Sequence, residues 1–216
     1  MDTPDLVVDT AGRWKGADRA VLLAHGAGSD RNGRPLLAVA DALAAAGVPS
    51  LRFDYPYRTA GKKSPDRAAV LEAATRVAAA ELARRSKLPP DRLVLGGRSM
   101  GGRYCSLVVG SETEPVGALG LLLLGYPLHA AGKPDRPRAD HFSHLEVPTL
   151  FVSGTRDALA GKADLTRAAK KIRGAVTFHW LEGADHGYRP LKSTGRTVED
   201  VLDEVATEAT RWVTSL

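Results

Sequence analysis

The run Leu93-Val94-Leu95-Gly96-Gly97-Arg98-Ser99-Met100-Gly101-Gly102 constrains this chain more than any other stretch, because it sets Gly-x-Ser-x-Gly between an apolar strand and the opening of a helix. A backbone that passes from strand to helix at a serine must make a strained turn. Gly97 and Gly101 carry no Cβ where backbone and neighbouring elements come too close. The Ser99 hydroxyl is thereby pushed into the open at the end of the sheet. With 22 glycines in the chain the bare pattern arises readily by chance. The preceding strand is what turns it from a plain turn into a candidate nucleophile.

A nucleophilic serine needs a base and an acid, and in a strand-to-helix elbow of this kind they follow in the order serine, acid, histidine, each just after a strand. Val147-Pro148-Thr149-Leu150-Phe151-Val152-Ser153-Gly154 reads as a buried strand that leaves into Thr155-Arg156-Asp157. Ala175 to Leu181 reads as a further strand, ending in Glu182-Gly183-Ala184-Asp185-His186-Gly187. Serine alone is a poor nucleophile at neutral pH, so a neutral imidazole must take its proton as attack occurs, and His186 is placed for this. A carboxylate on the other ring nitrogen fixes the tautomer and stabilises the imidazolium. Asp157 is assigned that role. Asp185 is the rival, disfavoured because immediate sequence neighbours rarely aim side chains at each other.

Acyl transfer also needs donors for a tetrahedral oxyanion, and backbone amides suit it because they are fixed before charge develops. The amide of Met100 follows the nucleophile at a helix N-terminus, where the helix dipole also favours negative charge. A second donor is expected from the loop after an early strand. Arg19-Ala20-Val21-Leu22-Leu23-Ala24 runs into His25-Gly26-Ala27-Gly28, which makes the Ala27 amide the candidate. His25 is read as a brace for that loop, since His186 already supplies the acid-base group.

Competing glycine-loop chemistry does not fit. A dinucleotide fingerprint starting at Gly26 needs a glycine at position 31, which is Arg31, and the second glycine run lacks the Gly-Lys-Ser/Thr ending of a phosphate loop. His141 and His144 lack helical i, i+4 pairing and stand in a proline-rich lead-in to a strand, so they are read as solvated loop histidines and not metal ligands. No cofactor is expected.

The segments Leu23-Ala24-His25-Gly26-Ala27-Gly28-Ser29-Asp30, Arg52-Phe53-Asp54-Tyr55-Pro56, Gly96 to Arg103 and Gly183-Ala184-Asp185-His186 together resemble a compact α/β-hydrolase family. It is the one related to dienelactone hydrolase that also contains testis-expressed protein 30 and the hydrolase-like domain of a chromatin acetyltransferase subunit. The resemblance covers nearly the whole chain. It implies an α/β-hydrolase fold and a serine hydrolase of ester-type substrates, and its motifs are specific to the family but not to a substrate. Dienelactone hydrolase itself is known for a cysteine nucleophile, whereas this elbow carries Ser99. The chromatin relative implies the alternative, a silent binding or scaffold protein that keeps the fold.

The pattern along the chain agrees with an α/β class. Strands near 20–24, 48–53, 93–97, 118–124, 148–153 and 176–181 alternate with helical patterns near 34–46, 66–86, 100–110, 162–172 and 197–214, and Leu6-Val7-Val8 is read as an edge strand. Such alternation implies a mostly parallel sheet with helices on both faces and a site at the carboxyl ends of its strands. Residues 1–216 are expected to form one domain, since this length with 44% hydrophobic and 25% charged residues can bury a sizeable core. No insertion is long enough for a large helical lid, which implies an open site for small substrates.

Around that site, Tyr55 and Tyr126 follow strands and are assigned as walls of an acyl or alcohol pocket. Arg98 and Arg103 flank the elbow and are read as ion-pairing or bracing residues. The net charge of +5 is spread without a basic tract, so no nucleic-acid partner is expected. Cys105, the single cysteine, reads as a small buried packing residue in a chain with no internal disulfide. Met1-Asp2-Thr3-Pro4-Asp5 shows no targeting segment and no run reaches the ~18 apolar residues of a membrane span, so a cytoplasmic location without a membrane partner is expected. The expected partner is a small-molecule acyl substrate, bound by a monomer or small homo-oligomer.

Overall fold

The computed structural model describes residues 6–216, so the segment Met1 to Asp5 lies outside the described residues. Seven strands form one sheet in the order β1-β3-β2-β4-β5-β6-β7. They are β1 (Val8–Ala11), β2 (Ala20–Ala24), β3 (Ser50–Phe53), β4 (Leu93–Arg98), β5 (Gly120–Leu124), β6 (Thr149–Gly154) and β7 (Val176–Leu181). Only β1 runs antiparallel, pairing Val8 with Phe53 and Ala11 with Ser50 at one edge. The other neighbours are parallel, so the loops after β2, β4, β6 and β7 all emerge at one edge of the sheet.

Strands β2 and β5 carry no polar side chain because both of their faces are covered. Along β2, Ala20, Leu22 and Ala24 face one core and Val21 and Leu23 the other; along β5, Leu121 and Leu123 alternate with Leu122 and Leu124 in the same way. Helices α1 (Arg34–Ala45) and α6 (Val198–Ser215) cover one face. Helices α3 (Ala68–Ser86), α4 (Met100–Val109) and α5 (Lys162–Ala169) cover the other, with the short α2 (Pro56–Thr59) beside α3. α6 opens with a capping box, in which Thr197 Oγ1 accepts from the Asp200 amide at 3.1 Å and Asp200 accepts from the Thr197 amide at 2.7 Å. No helix among the described residues is long and apolar enough to cross a membrane.

The edge strand expected around Leu6-Val7-Val8 is present but lies later, at Val8–Ala11. α2 was not expected at all. Four residues after a strand show no helical period, and only Pro56 at its first position marks it.

Candidate active site

The turn between β4 and α4 holds Ser99 at φ 50° and ψ −114°, a conformation that costs a non-glycine residue of order 1–3 kcal/mol. Its surroundings impose this. A Cβ on Gly97 would sit 2.1 Å from the Ala24 carbonyl oxygen, and one on Gly101 would sit 2.2 Å from the same atom. Strand β2 therefore packs directly against the elbow on both sides of the serine, and only glycine fits at either position. The Ser99 amide donates to Leu124 O at 2.8 Å, so the strained residue is also tied to the end of β5.

Ser99 Oγ lies 2.9 Å from His186 Nε2, and His186 Nδ1 lies 2.8 Å from Asp157 Oδ2. The second carboxylate oxygen of Asp157 accepts from the Leu159 amide at 2.8 Å. The three side chains come from the ends of β4, β6 and β7 and form one hydrogen-bonded line. The Asp157 side chain is 0% exposed and that of His186 26%, so the acid is shielded while the base reaches solvent. Asp185 does not join them. Its Oδ1 accepts from the amides of Gly187 and Arg189, at 2.8 and 2.9 Å, and shapes the loop that carries His186.

Ala27 and Met100 stand with Ser99 on the wall of a cavity of about 410 Å³, a size suited to a small ligand. Met100 is the first residue of α4, so its amide has no partner within the helix. His25, fully buried, has Nδ1 2.8 Å from Gly26 O and Nε2 3.1 Å from the Tyr55 amide. Nδ1 must donate and Nε2 must accept, which defines a neutral ring that ties the Ala27 loop to the end of β3. Burial lowers the basicity of this imidazole, in keeping with a neutral ring.

Two residues assigned to the pocket wall are elsewhere. Tyr55 and Tyr126 are both 0% exposed and neither borders the cavity. The Tyr55 hydroxyl lies 3.0 Å from Thr75 Oγ1, and that of Tyr126 donates to Arg138 O at 2.6 Å. They are core residues whose hydroxyls brace neighbouring segments, and burial raises the pKa of both. The cavity is walled instead by Leu71, Met100, Tyr104, Pro127 and Leu159, with Asp66, Arg103, His129 and Arg138 as its charged and polar groups. His129 and Pro127 follow β5, the one signal in the sequence that pointed to them.

His141 also departs from expectation. It is not a solvated loop residue: its Nε2 lies 2.8 Å from Ser106 Oγ, and burial, reinforced by the charge of Arg103, pushes its pKa down to about 4. His144 is exposed, 3.6 Å from Glu112. Among the described residues no three His, Cys, Asp or Glu side chains gather as a metal-ligand set. Cys105 is buried beneath the elbow with its thiol donating to Gly96 O at 3.2 Å, and burial pushes its pKa up to about 12, so no thiolate competes with Ser99.

Arg98 and Arg103 divide in role. The Arg98 guanidinium lies 3.4 and 3.3 Å from the carbonyls of Leu124 and Gly125, 4.6 Å above the Tyr188 ring and 3.5 Å from His186 Nε2. It is a brace, as expected. Arg103 is in the cavity wall and makes no ion pair among the described residues, its Nε buried without a partner.

The sheet order and its covering helices are those of a known family: residues 17–214 match the family described as alpha/beta hydrolase domain. The chain belongs to that family. Solved structures with the same fold include an alpha-beta serine hydrolase homologue from Coxiella burnetii, at 18% identity and a TM-score of 0.74 over 95% of this chain and 90% of that one. Est1E from Butyrivibrio proteoclasticus, solved with ferulic acid bound, gives 15% identity and a TM-score of 0.76 over 97% and 94%. A dienelactone hydrolase from Anabaena variabilis gives 21% identity and a TM-score of 0.70 over 97% and 91%. At these identities the likeness is one of fold.

Proposed function

We propose that this alpha/beta hydrolase is a serine hydrolase of the carboxylesterase type, cleaving small ester, thioester or lactone substrates through an acyl-enzyme. The observation that carries the reading is the unbroken line Ser99 Oγ to His186 Nε2 to Asp157 Oδ2, at 2.9 and 2.8 Å. Ser99 attacks the carbonyl carbon while His186 Nε2 takes its proton. Asp157 holds the proton on Nδ1 and stabilises the imidazolium. The amides of Ala27 and Met100 receive the oxyanion, and Met100 adds the positive end of the α4 dipole. His186 then protonates the leaving alcohol, thiol or lactone oxygen. Water, deprotonated by the same nitrogen, releases the acid and restores Ser99. The sequence likeness to the dienelactone hydrolase group supports the ester class, and the serine in place of that enzyme's cysteine argues against dienelactone as the substrate.

Intact-mass labelling with a fluorophosphonate, followed by a short-chain p-nitrophenyl ester assay, tests the reading on wild-type and Ser99→Ala protein. The expected result is a single adduct and ester turnover, both lost in the variant. A folded wild-type protein that takes no adduct overturns the reading in favour of a silent scaffold with a hydrolase fold.

A further inference from the structure

The Ser99 cavity carries two arginines that nothing in the catalytic line uses. Arg103 lies one helical turn beyond Ser99 on α4, with its amide donating to Ser99 O at 3.0 Å, so both side chains project from the same face of the helix. Its guanidinium lies 5.4 Å from the Tyr104 ring and its Nε is buried without any hydrogen-bond partner. A buried donor on a full positive charge is costly to leave unpaired. Arg138, on the loop after β5, borders the same cavity with an exposed side chain. Among the described residues no carboxylate comes within 4.0 Å of either guanidinium. Arg52, Arg76 and Arg98 also lack an ion pair, but their guanidinium groups donate to backbone carbonyls, which those of Arg103 and Arg138 do not.

Among the described residues Asp66 is the one acidic residue on the cavity wall, and its Oδ2 is itself buried and unpartnered. Glu72 and Asp140 border the neighbouring depression, on the far side of Arg103 and Arg138. Two fixed positive charges against one negative leave the Ser99 cavity net cationic, with His129 adding a polar ring whose Nδ1 is already engaged by Ala130 O at 2.9 Å. The rest of the lining, Leu71, Met100, Tyr104 and Pro127, is suited to a short carbon chain.

We propose that the cavity takes esters that carry a free carboxylate, which Arg103 reads through the terminal nitrogens of its guanidinium while Arg138 adds charge from the rim. The proposal rests on the serine hydrolase reading and narrows its substrate class. A charge-assisted, forked contact of this kind contributes roughly 10- to 100-fold to affinity over a neutral isostere.

The test compares monoethyl glutarate with diethyl glutarate, which places the charge on the acyl side, and acetoxyacetate with its ethyl ester, which places it on the alcohol side. Hydrolysis is followed by acid release. The wild-type enzyme is expected to favour one anionic ester over its neutral partner by roughly 10- to 100-fold in kcat/KM, and that ratio should collapse towards one in Arg103→Gln. It should grow in Asp66→Asn, which removes the repelling carboxylate. A ratio near or below one in the wild type, or a ratio that Arg103→Gln leaves intact, overturns the proposal. Salt supplies a readout that needs no variant: KM for the anionic ester should rise with NaCl while KM for the neutral ester stays flat.

Calorimetry of monoethyl glutarate and acetoxyacetate binding to Ser99→Ala, with and without Arg103→Gln, separates this inference from the catalytic one. Binding of at least one anion that weakens at least tenfold without Arg103 supports the subsite whether or not turnover is found. No binding of either, or binding that Arg103→Gln leaves intact, overturns it, even where fluorophosphonate labelling shows an active Ser99.

Discussion

Replacing Asp157 with asparagine is isosteric, so its effect depends on which way the new amide points, and the structure decides this. The Leu159 amide donates to Asp157 Oδ1 at 2.8 Å in a fully buried setting, so it needs an acceptor there. The asparagine must therefore present its oxygen to Leu159 and its NH2 to His186. Two donors cannot face each other across the 2.8 Å that separates this position from Nδ1. Nδ1 becomes the acceptor and the ring proton moves to Nε2, facing Ser99. The base then has no lone pair for the serine proton.

The same tautomer error in a serine protease costs about 10⁴ in turnover, or ~5 kcal/mol. We expect a comparable fall in kcat for Asp157→Asn with KM changed little, measured on a short-chain ester, and thermal stability close to wild type because no cavity opens. Asp185→Asn is the control: its oxygen can still accept from Gly187 and Arg189, so activity should stay within a few-fold. If Asp157→Asn keeps more than a tenth of wild-type turnover, or if Asp185→Asn shows the larger loss, the assignment of the acid is wrong.

Other outcomes follow from strain, packing and protonation. Ser99→Gly relieves the φ 50° conformation, so it should be more stable than Ser99→Ala by about 1 kcal/mol, seen as a melting temperature roughly 2–4 °C higher. Equal stability would mean that the elbow is unstrained. Gly97→Ala drives a methyl to 2.1 Å from the Ala24 carbonyl in a central strand that has no room to yield, and about 3 kcal/mol or more should be lost in urea unfolding. A wild-type midpoint would refute that packing. His141, with its pKa held down to about 4 against an ordinary 6.5, binds its proton more readily unfolded, so the stability it contributes is complete above pH 6.5 and is lost as pH falls towards 4. Wild type should lose of order 1–3 kcal/mol more than His141→Gln between pH 7 and pH 4, and parallel pH profiles would count against the half-buried neutral ring.

The elements that place the site were legible because each has a strong local signal. β5 is a run of leucines too short for a membrane span and too apolar for a surface strand, and it proved buried on both faces. The glycines of the elbow were legible for a physical reason as well, since the Ala24 carbonyl leaves no space for a Cβ at either one. The direction of side chains in loops was not legible. Tyr55 and Tyr126 each stand two residues beyond a strand end, as pocket residues often do, yet both turn into the core, where Thr75 and the Arg138 carbonyl take up their hydroxyls. Arg103 carried no sign of an unpaired charge, because ion pairing across α3 and α4 depends on distances that sequence spacing does not contain.

The distance between nucleophile and base is set by more than the line of three side chains. Ser99 is carried by the turn after β4 and His186 by a loop after β7, two strands that are not neighbours in the sheet. Something must hold those ends in register. Arg98 does so from the position before the nucleophile, with its guanidinium against the carbonyls that end β5 and over the ring of Tyr188, which follows His186 by two residues. Tyr188 is in turn anchored to β6, its hydroxyl donating to Val152 O at 3.0 Å. One side chain thus connects the ends of β4 and β5 to the histidine loop, and through it to β6. The strain at Ser99 persists because this clamp and the Ala24 contact restrain the turn from opposite sides, which is the over-determination that a strained residue requires.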